Sequence, residues 1–541
     1  MSNKGFILPP IPPEEMTPTV KLLLAIIEQQ QGTITRLEER VAQLETEVAR
    51  LKQLPLRPKI KPSTLAKDHD DDDPPTGSTG KGQSKGGGKR PGSKKRRKRP
   101  KIHRSVIVPP EHLPSGSRLL GYQDYLVQDL LIEPCNTRYR LARYRLPDGE
   151  LLTGQLPAAL RGTHFGPTLQ SYILYQHHHQ RVTQPLLLQQ LREWGVDISS
   201  GQLNRLVIED KARFHREKTD LLPAGLSAST YLHVDDTGAR HGGQNGYCTH
   251  LGNERFAYFE STPSKSRINF LGLLRGPETD FVINLDAVAY MQAQGLPHDP
   301  LETLRRDPKQ FADQSVWSAH LRALGITQPR QVRIATEGAL IGSLIHHGFP
   351  LDLVIISDDA GQFNVLNHAL CWVHAERVFQ RILPLNERHA KALEWVRSQL
   401  WDLYRDLKRY QQHPGQTEKQ ELSARFDEIC RTRTGFQTLN QALKRLANNK
   451  AELLLVLERP DIPLHNNLSE RDIREYVIKR KISGSTRSNE GRRCRDTFAS
   501  LKKTCKKQRV AFWDYLLDRM NLKNAIPYLP DLVRGTATIS R

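Results

Sequence analysis

"STYLHVDDTGARHGGQNGYCTHLGNERFAYFEST", residues 229–262, is the stretch on which the fold turns. It reads as an apolar strand ending in two carboxylates, Asp235 and Asp236, then a Gly-rich turn and two more strands around Tyr247 and Phe256. A second apolar strand, "LDLVIIS" at 351–357, ends the same way, in Asp358 and Asp359. A carboxylate at the end of a buried strand must be desolvated or matched to a cation. Acids at the ends of neighbouring strands converge on one spot, and hard cations take oxygen ligands there.

A third acid follows in "PLHNNLSERDIREYVIKRK", residues 463–481. Asn466, Asn467, Glu470 and Arg474 stand three or four residues apart, so one helical face carries them. A helix packed beside the two strands would deliver Glu470 as the third ligand. Three carboxylates around two Mg²⁺ ions, with Mn²⁺ as the alternative, are what in-line phosphoryl transfer on a nucleic-acid backbone requires. Arg471, Arg474, Lys479, Arg480 and Lys481 would hold the DNA strand. Strand alternation lets only one of Asp235 and Asp236, and one of Asp358 and Asp359, point into a shared site; the sequence leaves both choices open.

Composition agrees with a nucleic-acid partner. The chain has 541 residues, enough for more than one domain, and a formal net charge of +21. Its six cysteines are scattered without CxxC spacing, which argues against a disulfide-scaffolded secreted protein. No apolar run approaches a membrane span, and "MSNKGFILPPIPPEE" lacks a signal-peptide layout. The expectation is a cytoplasmic protein that faces DNA or RNA, with no membrane contact.

Along the chain, residues 20–54 carry a heptad. Ile27, Ile34, Val41 and Val48 fall at one core position and Leu23, Gln30, Leu37, Leu44 and Leu51 at the other, predicting a dimerising coiled coil. Residues 55–104 read as a linker, with twelve Lys or Arg and no acid from Lys81 to Arg104, including Lys94, Lys95, Arg96 and Arg97. Such an arm contacts phosphates without reading sequence. Residues 105–165 predict a small β-rich region with a turn at Asp148-Gly149. Residues 166–220 predict a helix-turn-helix: Leu187, Leu188, Leu191 and Trp194 at helical spacing, Gly195 as the cap, and Ser199 or Ser200 starting a second helix that offers Gln202, Asn204 and Arg205 to a groove. The α/β core follows at 221–365 with an insertion at 286–341, then a helical insertion at 366–460, the third acidic block with basic helices at 461–525, and a tail at 526–541.

These blocks resemble the DDE-type transposases of the insertion sequence 66 group. "HVDDT" is similar to the group's first catalytic block. "SDDAGQFNVLNHALCWVHAERVF" is similar to its second, with a Cys-Trp-x-His-x-x-Arg segment at Cys371 and His374, and "PLHNNLSERDIREYVIKRKISGS" to its third. The resemblance runs from about residue 160 to about 520. It implies a ribonuclease H-like core, the catalytic set Asp235, Asp358 and Glu470, and Mg²⁺-dependent cleavage and strand transfer at terminal inverted repeats. Double-stranded DNA, a second copy of the chain and accessory proteins of the element are the implied partners. His465 and Asp236 depart from the group's usual Asp and Glu, and the N-terminal region holds only Cys135, so no zinc module is expected. The rivals are a nuclease on the same core that never joins DNA, and an inactive DNA-binding descendant. A tyrosine recombinase would need an Arg-His-Arg setting that Tyr476 lacks.

Overall fold

The computed structural model describes residues 102–306 and 310–538, together with residues 17 and 20. The coiled coil expected at 20–54 lies outside the described residues apart from Val20. So does the basic linker apart from 102–104, and Lys94, Lys95, Arg96 and Arg97 with it. The chain divides into units 1–69 and 70–541, and the architecture below belongs to the second.

A five-stranded mixed sheet forms the centre. Its strands are β1 (Tyr231–Gly238), β2 (Tyr247–Gly252), β3 (Ala257–Thr262), β4 (Val354–Ser357) and β5 (Asn367–Leu370), in the order β3-β2-β1-β4-β5. The first three form an antiparallel meander, and β4 and β5 run parallel to β1. Alternation in β1 separates two faces. Leu232 and Val234 are fully buried among apolar residues, while His233 and Asp235 face the opposite way, toward polar partners. β4 reads Val-Ile-Ile-Ser and is buried throughout, as a strand with parallel neighbours on both sides must be.

The helices that position the site are α1 (Pro167–Leu174), α2 (Gln184–Glu193), α3 (Ser200–Ile208), α4 (Ala212–Ser227), α5 (Pro329–His346), α6 (Trp372–Gln380), α7 (Asn467–Ser483), α8 (Asn489–Lys507) and α9 (Leu529–Arg534). α1 to α3 share their own small core of Ile173, Leu187, Leu191, Leu203 and Val207. Gly195 turns the chain after α2 at φ +80°, a conformation only glycine adopts cheaply. Ser199, not Ser200, caps α3.

α8 solves the edge problem of β3. Its Asp496, Ser500 and Thr504, spaced one helical turn apart, accept from the backbone amides of Ser261, Phe259 and Ala257 at 2.9, 2.9 and 3.2 Å. Those amides would otherwise form an unpaired strand edge.

Several boundaries move. Residues 105–165 are not β-rich: among the described residues they hold one hairpin, Arg143–Arg145 with Leu151–Thr153, turned at Gly149 with φ +92°. The boundary at 220 cuts through α4, whose Leu221 and Leu222 pack in the core with Leu232. Residues 286–341 are no appendage. α5 begins within them and is buried from Ile334 to Leu344, and a Cβ at its Gly342 would meet the Val282 carbonyl oxygen at 2.0 Å. The stretch at 366–460 opens with β5, a sheet strand, before its helices begin. The tail expected at 526–541 contains α9, held to α4 by the Leu529 amide donating to Glu217 Oε1 at 2.9 Å, so its described part, 526–538, is packed and not free.

Candidate active site at the ends of two parallel strands

β1 and β4 pair in parallel with His233 opposite Ile356. The same register carried two residues onward sets Asp235, midway along β1, level with Asp358, the residue just past the end of β4. The second members of the pairs are used otherwise. Asp236 accepts from Thr249 Oγ1 at 2.6 Å and Gln362 Nε2 at 2.9 Å. Asp359 accepts from Arg445 Nε at 2.8 Å, in an exposed ion pair.

Asp235 is the electrostatically exposed member of the group. Burial pushes its carboxyl up to about 7, and the neighbouring charges of Asp358, Glu470 and Asp236 push the same way, against one hydrogen bond from the Asp236 amide. That amide, at 2.7 Å, is its one hydrogen-bond donor among the described residues. Asp236 is also raised by burial, but Thr249 and Gln362 oppose the rise.

Glu470 enters from the first turn of α7. Its placement follows from Asn466, which is 1% exposed and ties the helix start to β1: His233 Nδ1 donates to its Oδ1 at 2.9 Å, and its Nδ2 donates to the Val234 carbonyl at 2.7 Å. From the other side Cys371 Sγ accepts from the Asn466 amide at 3.1 Å. Burial raises that thiol to about 11, so Cys371 serves here as a neutral packing and accepting group. Asn467 is the first residue of α7.

Glu470 itself faces a cation. Arg377 Nη1 lies 3.1 Å and His374 Nε2 3.3 Å from its Oε1, and both come from α6. Among the described residues no three His, Cys, Asp or Glu side chains are arranged to hold a metal ion. At this site Glu470 is engaged by Arg377 instead. The donor set still suits a hard divalent cation: it is carboxylate oxygen throughout, and Asp235 is buried among like charges.

The family model described as "Transposase IS66 family" matches residues 351–493, which span β4, β5, α6, α7 and the start of α8. An uncharacterized protein of Sinorhizobium fredii, y4jO, is 46% identical over 321 residues, covering 59% of this chain and all of the relative. The chain belongs to the transposase IS66 family.

In this IS66-family chain the predicted DNA-holding residues divide. Arg471, Arg474 and Lys481 are exposed on α7. Arg480 is not: its Nη1 donates to Thr237 Oγ1 at 3.2 Å and to the Gly238 carbonyl, closing the end of β1. Lys479 is 9% exposed and donates to the His177 carbonyl at 2.9 Å. In α3, Arg205 is exposed, but Gln202 closes a capping box by accepting from the Ser199 amide at 2.8 Å, and Asn204 accepts from Gln184 at 3.2 Å. Tyr476 is buried, stacked on Phe259 at 5.8 Å and donating to Asp496 at 3.0 Å, which makes it a packing residue.

Three contacts of this family member escaped the reading of the sequence. Arg377 closes the Cys-Trp-x-His-x-x-Arg segment, but nothing in that spacing ties it to Glu470, 93 residues away. Asp472 is a buried anion between Lys507 at 2.6 Å and His250 at 3.3 Å, and those partners hold it well below the usual carboxylate range despite burial. Ser469 meets His250 at 2.6 Å, so α7 is fastened to β2 by the residue just before Glu470. No helix of the described residues is long and apolar enough to cross a membrane.

Proposed function

We propose that the protein is a DNA transposase that cuts the ends of a mobile element and joins them to target DNA at Asp235, Asp358 and Glu470. What supports this reading is the electrostatics of Asp235: the charges of Asp358, just past β4, and of Glu470, on the packed helix α7, both act on its buried carboxyl. The strand order, with a three-stranded meander beside two parallel strands, supports a ribonuclease H-like core. Asp235, Asp358 and Glu470 would hold two Mg²⁺, or Mn²⁺, ions, which when bound activate the attacking oxygen and steady the leaving one.

The chain's residues then have distinct tasks. Asn466 and Cys371 fix the start of α7 against β1. Thr249 and Gln362 hold Asp236 aside from the reacting group. Arg471, Arg474 and Lys481 offer exposed cations to DNA phosphates. Water attacks a phosphodiester at the element end, one P–O bond forms as another breaks, and a 3′-OH is freed. That hydroxyl attacks target DNA in the same way, with the number of phosphodiesters unchanged. α2 and α3 would act as the helix-turn-helix at the inverted repeats, and residues 20–54 would pair protomers.

The test is joining of labelled element-end DNA to a plasmid in Mg²⁺, comparing the native chain with Asp235→Asn, Asp358→Asn and Glu470→Gln. Each substitution should abolish joined product while DNA binding persists. Joining by all three variants would sink the assignment, and cleavage without joining in the native chain would move the weight to a nuclease.

A further inference from the structure

A cavity of about 800 Å³ separates α1–α3 from the junction of α7 and α8. Lys479, Arg487, Arg495 and Ser488 line one side and Gln184 and Asn204 the other, and no Asp or Glu lines it. We infer that this cleft binds the phosphodiester backbone of DNA, with Lys479 and Arg495 as its charged floor. The inference draws on the proposed function only for the identity of the polyanion.

Lys479 and Arg495 are each 9% exposed. Their hydrogen-bond partners are neutral: Lys479 Nζ donates to the His177 carbonyl at 2.9 Å, and Arg495 Nη2 to the Gly484 carbonyl at 3.2 Å. The Arg495 guanidinium also lies 5.9 Å from the Tyr476 ring centroid. Carbonyls and a ring orient a cation without cancelling its charge. Glu475, one turn before Lys479 on α7, is engaged by Lys502 and Lys503 at 2.7 and 2.6 Å. Burial, with Arg495, Lys502 and Arg181 acting the same way, brings the Lys479 ammonium down to about 7. Buried charges persist in proteins when they are paired, and here the counter-charge has to come from outside.

The shape points to a chain of phosphates. Arg487, exposed in the loop between α7 and α8, extends the cations toward solvent. The N-terminus of α8, capped by Ser488, faces the same space and adds the positive end of a helix of 19 residues. A guanidinium grips the oxygens of a phosphate or a carboxylate in a fork, so the cleft suits an oxyanion, and the proposed function makes that oxyanion a phosphodiester. Glu470 lies nine residues before Lys479 on α7, about 13 Å along the helix at ~1.5 Å per residue. A strand gripped in the cleft would thus run toward the carboxylates a few nucleotides away.

The test uses the full chain and a labelled 20-base-pair duplex of arbitrary sequence, with affinity read by fluorescence anisotropy over a series of NaCl concentrations. For each phosphate contact removed, the slope of log K against log[salt] should fall by about 0.9. Lys479→Gln, Arg495→Gln and Arg487→Gln should each show that loss, with weaker binding at fixed salt, whereas exposed Lys523→Gln should not. Arg487 lies outside the packed core, so its variant carries the test if the two buried ones fail to fold. Unchanged slopes in variants that melt like the native chain would overturn the inference. So would an oligoglutamate peptide that displaces the duplex as well as an unlabelled duplex does at equal charge. Asp235→Asn should keep the native slope, so failure of the catalytic reading shows in joining alone.

Discussion

Arg377 Nη1 stands 3.1 Å from Glu470 Oε1, so the third acid of the site is paired with a cation of the chain itself. The two side chains are 30% and 27% exposed, and a pair so open to water is worth only about 1 kcal/mol. A divalent ion must displace that pairing to recruit Glu470. Arg377→Gln should therefore lower the Mg²⁺ concentration needed for half of the metal-induced rise in melting temperature, by about fivefold. Scanning fluorimetry over a Mg²⁺ series measures it, and an unchanged or higher midpoint would show that Arg377 does not compete with the ion.

Asp235 should behave as a buried charge without compensation. Its folded value of about 7 lies above the ordinary carboxylate value. The stability it contributes is present at pH 4 and lost as pH rises through 7. Asp235→Asn should thus match the native chain near pH 4 and exceed it at pH 8 by ~2–4 kcal/mol, at about 1.4 kcal/mol per pKa unit. Mg²⁺ should stabilise the native chain at pH 8 and leave the variant unmoved, because an ion bound only by the folded state raises its stability. Denaturation at the two pH values checks both parts.

Asn466 joins three elements through one side chain and its amide. Asn466→Ala leaves the His233 ring nitrogen and the Val234 carbonyl buried without that partner, each worth about 1–3 kcal/mol. The expected loss is ~2–4 kcal/mol in urea unfolding, together with loss of DNA joining as Glu470 loses its anchor. A variant that keeps native stability would mean that water or a neighbour replaces the amide.

How far the site was legible follows from where its information lies. Asp235, Asp358 and Glu470 stood out because each ends an apolar strand or opens a basic helix. The members of each Asp pair differ in their tertiary partners, Thr249 and Gln362 on Asp236 and Arg445 on Asp359, which no local pattern encodes. β5 was read as part of a helical stretch because "NHAL" is four residues without alternation, directly before the helix that starts at Trp372. The capping role of Gln202 was readable, since Ser199 and Gln202 have capping-box spacing, yet the same glutamine also suits a recognition helix. The stripe Asp496, Ser500 and Thr504 looks like a solvated helix face, and only tertiary contact turns it into the partner of a strand edge.

Lys479 offers the mirror image of Asp235. Its folded value of about 7 lies below the ordinary lysine value because burial and three neighbouring cations oppose its charge. For a base so depressed, stability is present near pH 10 and is lost as pH falls toward 7. Lys479→Met should therefore match the native chain near pH 10 and exceed it at pH 6.5, by ~2–4 kcal/mol at about 1.4 kcal/mol per pKa unit. Duplex DNA should reverse the ranking at pH 6.5, because only the native chain recovers the cost of that buried ammonium when phosphate arrives. Melting curves of both chains at the two pH values, with and without duplex, decide the matter. A methionine variant no more stable than the native chain at pH 6.5 would mean that solvent already reaches the ammonium. A variant that gains as much from DNA as the native chain would take Lys479 out of the cleft's charge.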